Sequence, residues 1–368
     1  MRSRFLAAVV ALCGVALVST GCTAVSVREV PVVTVTADAT VSLGELPVLA
    51  NAKDYSGLVR AALPTSGLFT PSSRPQQVLP ASVVSHDLSG DFATTVLSTE
   101  RVIAMDISGS IAATVAGLGF VDSLVARDIS TTFDEVAELP LITSNAHTVN
   151  SEAILALRPD LILTDGSIGP IDVVLQLREA GIPVVFLDTD ASVEGVAELA
   201  RQTAAAFGAA AAGDTLALEL SAAIDAKISE IAAIVPAGER LRMMFLYLRG
   251  TSGIYYLFGQ ESGSDVLITA LGGVDVAAEI GLEGMRPMTD EAMVAANPDL
   301  ILVMTDGLES VGGVSGLLEA RPAVALTEAG KNQRFVEMAD GEILSFGPRT
   351  VTVLDALARA IYAPTTGS

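Results

Sequence analysis

Tyr247 and Arg249 stand two residues apart in RMMFLYLRG, a run whose alternation predicts a strand. Phe245, Tyr247 and Arg249 then share one face, and Met244, Leu246 and Leu248 share the buried one. A phenolate is a hard oxygen donor suited to ferric iron, and a guanidinium beside it stabilises the negative oxygen. By donating a hydrogen bond to that oxygen, Arg249 would also reduce the electron density available to a metal. On spacing alone the pair equally fits a tyrosine at a strand end beside a solvated arginine. His147 offers a second donor. It lies in the polar loop SNAHTVN, directly before a helix whose N-cap is Asn150 or Ser151, so it can reach outward from a fixed helix start. An imidazole there is a competent iron ligand, tuned by whatever its other ring nitrogen bonds, although a lone loop histidine is also compatible with plain surface. The other histidine, His86 in SVVSHDLSG, follows a proline-rich stretch and is read as surface.

Both candidates need elements to hold them. From Arg101 onward, apolar runs (RVIAMDI, DLILT, PVVFLD) alternate with amphipathic segments, and the second half repeats the theme with RMMFLYLRG, DLILVM and RFVEMA. Such alternation predicts an α/β protein of βα units, with a mainly parallel sheet and ligand loops at the strand ends. The halves are related in detail. SEAILALRPDLILT from Ser151 matches DEAMVAANPDLILV from Asp290, placing Glu152 and Glu291 in register, which marks an internal duplication. A second match, LGFVD at Leu118 with LGGVD at Leu271, has a different offset, so the first half carries about fourteen additional residues, His147 among them. Between the halves, the Ala-rich stretch 209–235 is composed of strong helix formers and closed by Pro236. As one helix it would span roughly 37 Å and join two lobes, 100–208 and 236–362, with a tail at 363–368.

The 368 residues suffice for two domains with real cores. With 43 acidic against 21 basic residues, the formal charge of −22 repels a nucleic acid over most of the surface. The only cysteines are Cys13 and Cys22, which excludes a disulfide framework and a thiolate metal site in the body, and two histidines cannot build a multi-histidine zinc centre. At the start, Arg2 and Arg4 precede an apolar stretch from Phe5 to Val18, as in a signal peptide covering 1–21. Beyond it no apolar run approaches the length of a membrane span, so the mature chain is expected to be soluble. The leader ends in VSTGC, which resembles the lipobox of bacterial lipoproteins, with Ser19 standing where an aliphatic residue is usual. That resemblance implies a lipid anchor (a palmitate-bearing diacylglycerol) on Cys22 and a location on the extracytoplasmic face of the cell membrane. Residues 22–99, with short Val/Thr alternation and then Pro64, Pro71, Pro75 and Pro80, read as an anchored arm.

Leader, lipobox, βα lobe, single long helix, second βα lobe and paired SEAIL/DEAMV helices together resemble the helical-backbone (class III) periplasmic-binding-protein family, which serves importers of haem, cobalamin and iron-siderophores. Within it, AHTVN before SEAILALRPDLIL, and FLYLRG before GIYYLFG, resemble the haem-uptake lipoproteins of actinobacteria. The resemblance implies a binding protein without enzymatic activity, with His147 and Tyr247 as axial ligands from opposite lobes to a ferric haem b carried as cargo, and Arg249 on the phenolate. Haem also needs apolar walls and partners for its propionates. Met285, by analogy with the fold, and Tyr255 and Tyr256, close after the Tyr247 strand, are candidate walls, or else one of each pair is core. Arg286 and Arg349 are candidate propionate partners, with Arg349 in FGPR equally suited to support the start of the last helix. Glu152 and Glu291 would dock on an ABC permease dimer with its ATPase, although a carboxylate at a helix start is also sufficiently explained by the helix dipole. Upstream haem-binding surface proteins are possible donors, and a monomer is expected. A ferric siderophore or cobalamin carrier of the same fold is the nearest alternative; the absence of tryptophan and the YLRG strand count against it. A haem peroxidase would need an open axial site, which ligation by both His147 and Tyr247 would close. A surface adhesin or sensor with a vestigial cleft would bind no ferric compound.

Overall fold

A computed structural model describes residues 32–64, 74–87, 90–144 and 147–364; the leader and Cys22 lie outside the described residues. Two α/β lobes are joined by one helix, Ala210–Ile234, 25 residues long. This helix folds back against Val193–Ala206. Gly213 permits the approach, since a Cβ there would stand 2.5 Å from the Ala204 methyl.

Among the described residues the N-terminal lobe is built on three parallel strands, β5 (Val102–Met105), β6 (Leu161–Thr164) and β7 (Val184–Phe186), in that order. Every residue of the three is buried, as expected of a parallel sheet covered on both faces. An antiparallel ribbon of β3 (Ala81–Asp87) and β4 (Gly90–Val96) leans on β7, where Ser85 Oγ accepts the Phe186 amide at 2.9 Å.

The C-terminal lobe carries an eight-stranded sheet: β1 (Val33–Thr36), β2 (Leu58–Ala62), β13 (Phe335–Met338), β12 (Leu300–Met304), β8 (Arg242–Arg249), β9 (Ile254–Phe258) and β11 (Met285–Pro287) in spatial order, with β10 (Val274–Asp275) also on β8. The strands from β1 to β8 run parallel, whereas β9 and β11 add antiparallel. The β8–β9 connection is a short 3-10 turn, Gly250–Ser252, closed by Gly253 in the left-handed region at φ 65°, a conformation that favours glycine.

Of the stretch whose composition suggests an arm, the described residues between 32 and 96 pack on the globular body. The segments VTVT and LVRAA are the outer strands of the C-terminal sheet, burying Val35, Val59 and Ala61. The chain between them is tied to the last helix, Thr350–Tyr362, by Arg359, which donates to the carbonyls of Asp38 and Val41, and by Asp355, which accepts the Asp38 amide at 3.1 Å. The partner of β2, β13, is some 277 residues further along the chain (Leu58 opposite Phe335), so no local pattern announces the pairing.

The duplicated segments have the same local structure. Helices Ser151–Leu157 and Asp290–Ala296 are capped by Asn150 and Thr289 side chains on the amides of Ala153 and Ala292, both at 3.1 Å. Each ends in a left-handed residue, Arg158 at φ 48° and Asn297 at φ 40°. In each lobe the following aspartate accepts the amide that starts the neighbouring strand: Asp160 from Arg101 at 3.2 Å and Asp299 from Arg242 at 3.0 Å.

Candidate functional site

A cleft of about 600 Å³ opens between the lobes. The N-terminal lobe contributes Ile107, Ser108, Asp165 and Thr189 from loops at the C-terminal ends of β5, β6 and β7, where ligand sites of open α/β sheets lie. The opposite wall is apolar and comes from the antiparallel addition: Ile254, Tyr256 and Phe258 from β9, Tyr247 from β8 and Met285 from β11, backed by Leu344 and Phe346. Registration explains the grouping. Tyr247 lies opposite Tyr256, and Phe258 opposite both Phe245 and Met285. The Tyr247 ring stacks on Phe258 at 5.6 Å between centroids and Phe258 on Phe245 at 5.0 Å, so the phenol is held by a ladder of rings.

Alternation excludes Tyr255 from this wall. Its ring packs on the other side of the sheet, under the Arg321 guanidinium at 3.8 Å. Arg286, next to Met285 on β11, is exposed and projects to the opposite face from the methionine. Arg349 is also placed elsewhere. Only 1% exposed, it lies beneath the cleft floor, and its Nη2 donates to the Gly341 carbonyl at 2.7 Å, the Ser108 carbonyl at 3.1 Å and Ser345 Oγ at 3.2 Å. Because Ser108 belongs to the first lobe and the others to the second, Arg349 clamps the two together. Burial depresses its pKa, with Glu342, Asp106 and Asp128 acting in the opposite sense. Beside it, Asp106 serves as the cap that Gly109 cannot provide for helix Ser110–Gly117, accepting the amides of Ser110 and Ile111 at 2.9 and 3.0 Å.

Arg249 departs from expectation in its partner. Its guanidinium carbon sits 4.5 Å from the Tyr247 ring centroid, a cation–π contact, while its hydrogen bonds go to the Asp340 carboxylate at 2.6 Å and the Leu248 carbonyl at 2.7 Å. Asp340, which the sequence reading did not single out, lines the cleft and accepts the Asp306 amide at 3.0 Å through its other oxygen. Burial raises its pKa, and Arg249 opposes that. The one available signal was its place just past the end of β13.

His147 has left-handed backbone at φ 54°, and its amide donates to the Ser144 carbonyl at 3.0 Å. Burial, and after it the Arg249 cation, lowers the pKa of the half-buried imidazole, while Asp340 acts the other way. The ring is therefore biased toward the neutral form that ligates metals, and its buried Nδ1 has no hydrogen-bond partner among the described residues. His147 is not among the residues that line the cleft, although two charges of the C-terminal lobe, Arg249 and Asp340, act on it. His86, by contrast, sits on the β3–β4 ribbon with Nδ1 2.9 Å from Asp91. Glu152 and Glu291 are exposed in the first turns of their helices.

The family model described as periplasmic binding protein matches residues 106–340. No curated protein matches the chain. Among solved structures, the chain is similar to the haem-binding protein HmuT, at 35% identity and a TM-score of 0.78, over 85% of this chain and 99% of that one. It is similar to the periplasmic haem-binding protein RhuT from Roseiflexus sp. RS-1 in apo form, at 33% identity and 0.64, over 73% and 99%. It is also similar to the periplasmic haem-binding protein BhuT in complex with two haems, at 29% identity and 0.61, over 72% and 98%.

Proposed function

Since the chain belongs to the periplasmic-binding-protein family, we propose that it captures ferric haem b in the interlobe cleft and delivers it to an ABC importer for iron acquisition. What supports this reading is an apolar cleft wall carrying a phenol with a guanidinium on its ring face, together with a neutral-biased imidazole on the other lobe that feels the charge of that same guanidinium. His147 and Tyr247 are the axial ligands. Both sites being occupied by protein, the iron has no open position for redox turnover, and the chain acts as a carrier. Tyr256 and Met285 flank the macrocycle. The ion pair with Asp340 keeps Arg249 on the ring face, from which a side-chain rotation would bring it to the phenolate oxygen.

Glu152 and Glu291 dock on the two subunits of the permease. Cys22 holds the protein by its lipid to the extracytoplasmic side of the membrane, after removal of residues 1–21. The protein acts as a monomer and takes haem from upstream surface proteins.

The test is a haem titration of residues 23–368 followed in the Soret band, beside His147→Ala and Tyr247→Phe. A saturable shift altered by both substitutions is expected. No shift in the parent protein would sink the haem reading and turn attention to ferric siderophores or cobalamin.

A further inference from the structure

The duplicated helices share more than their glutamates. Glu152, Leu155 and Ala156 are exposed on one face of the first, and Glu291, Val294 and Ala295 on the same face of the second, because positions i, i+3 and i+4 of a helix lie together. Between them, Ile154 and Met293 are both fully buried. Leu155 and Val294 are each 46% exposed. A single exposed aliphatic residue is ordinary. Two at equivalent positions of a duplication, beside equivalent carboxylates and on helices held by equivalent caps, are not accounted for by packing within either lobe. A β-branched valine on a helix surface also contributes less to the helix than a polar straight-chain residue would.

Resting on the docking reading above, we propose that each lobe presents one copy of a composite docking element, carboxylate plus aliphatic. Glu152 with Leu155 and Glu291 with Val294 each seat on one subunit of a two-fold-symmetric membrane permease, the carboxylate on a guanidinium and the aliphatic side chain in an apolar recess beside it. The duplication supplies two like elements, and a homodimer offers two like recesses. Charge selects among occupants. A second copy of this chain, at −22 overall, would bring glutamate against glutamate, and an anionic lipid surface would repel both elements. The apolar component also distinguishes this element from a pair of ionic contacts, because its contribution survives salt that screens exposed charges.

The experiment measures binding of the haem-loaded protein to the same organism's haem permease–ATPase complex in lipid nanodiscs, for parent, Leu155→Gln, Val294→Gln, their double variant and Glu152→Gln/Glu291→Gln. Each aliphatic substitution is expected to weaken binding about fivefold and the double about 25-fold, with the loss persisting at high salt and the Soret band unchanged. Parent-like binding of the double variant, while the glutamate variant loses affinity, overturns the composite element and leaves the docking reading standing. Loss confined to one lobe overturns the two-fold partner. If neither pair weakens binding, or the parent does not bind, both readings fall. Concentration-dependent self-association that Leu155→Gln and Val294→Gln abolish would assign the surface to a second copy instead.

Discussion

Arg349→Met separates a clamp from a ligand contact. The arginine donates three hydrogen bonds through Nη2, one of them across the lobe boundary to Ser108. At about 1 kcal/mol net for each bond, losing them costs about 3 kcal/mol. Removing the cation from among Glu342, Asp106 and Asp128 adds to the loss, because buried carboxylates are left without a counter-charge. Working against this, Nε and Nη1 are buried without partners among the described residues, and their removal returns about 1–2 kcal/mol. The two corrections roughly offset, so unfolding should become easier by about 3 kcal/mol, which at about 2–4 °C per kcal/mol is a fall of about 6–12 °C in melting temperature. Thermal unfolding and a haem titration on the same preparation decide the matter. The expected result is a large drop in stability with an unchanged Soret position and stoichiometry. Unchanged stability with weakened haem binding would refute the clamp and return Arg349 to the cleft.

The acids around this clamp give a pH dependence of definite sign. Burial raises Asp106 to about 6 and Asp128 to about 7, above the unfolded value of about 3.9. Their contribution to stability is therefore full below about pH 4 and is lost as pH rises through 6 to 7; the raised values of Asp275, Glu337, Asp340 and Glu342 act in the same direction. Melting should occur at a lower temperature at pH 8 than at pH 5, and Asp128→Asn should flatten the slope; a stability that climbs over that interval would contradict the assignment. At Gly213, alanine gains about 1 kcal/mol in helix propensity but would place its methyl 2.5 Å from that of Ala204. Separating the helices costs about 1–3 kcal/mol, so denaturant unfolding of Gly213→Ala should show a net loss of about 1 kcal/mol, and a more stable variant would show that the helix pair is not tightly seated.

What was legible in the sequence was what depends on local periodicity. The βα alternation, the connecting helix and the paired helices follow from runs of a few residues, and the structure reproduces them. What escaped depends on partners far along the chain. VTVT and LVRAA are ordinary short strands; β13 fixes the place of LVRAA, and LVRAA that of VTVT. Arg349 in FGPR is compatible with a propionate partner or with support for the last helix, and only the convergence of Gly341, Ser345 and Ser108 on its guanidinium decides for a structural role. Tyr255 and Tyr256 could not both face the cleft on one strand, but choosing between them required the register that puts Tyr256 opposite Tyr247. Asp340 follows a parallel strand at the end where ligand loops gather, a signal that marks a place without saying which residue will use it.

The duplication explains why the proposed ligand pair is unlike. Aligning the lobes through the matched bonds of Asp160 to Arg101 and Asp299 to Arg242 sets Met105 against Leu246 and Asp106 against Tyr247. At that point the lobes part. In the first, the chain leaves the sheet, and Asp106 turns inward to cap a helix. In the second, β8 runs on to Arg249 because β9 folds back to pair with it, and the extra length carries the phenol and the guanidinium to the cleft. The first lobe, lacking that extension, brings its donor in the residues it holds in addition, where His147 lies. The repeated core thus supplies two equivalent outward helices, and the parts that are not repeated supply an imidazole on one side and a phenol on the other. On the proposed reading, a symmetric surface for docking and an asymmetric cleft for haem are compatible in a single chain because they are drawn from different parts of the repeat.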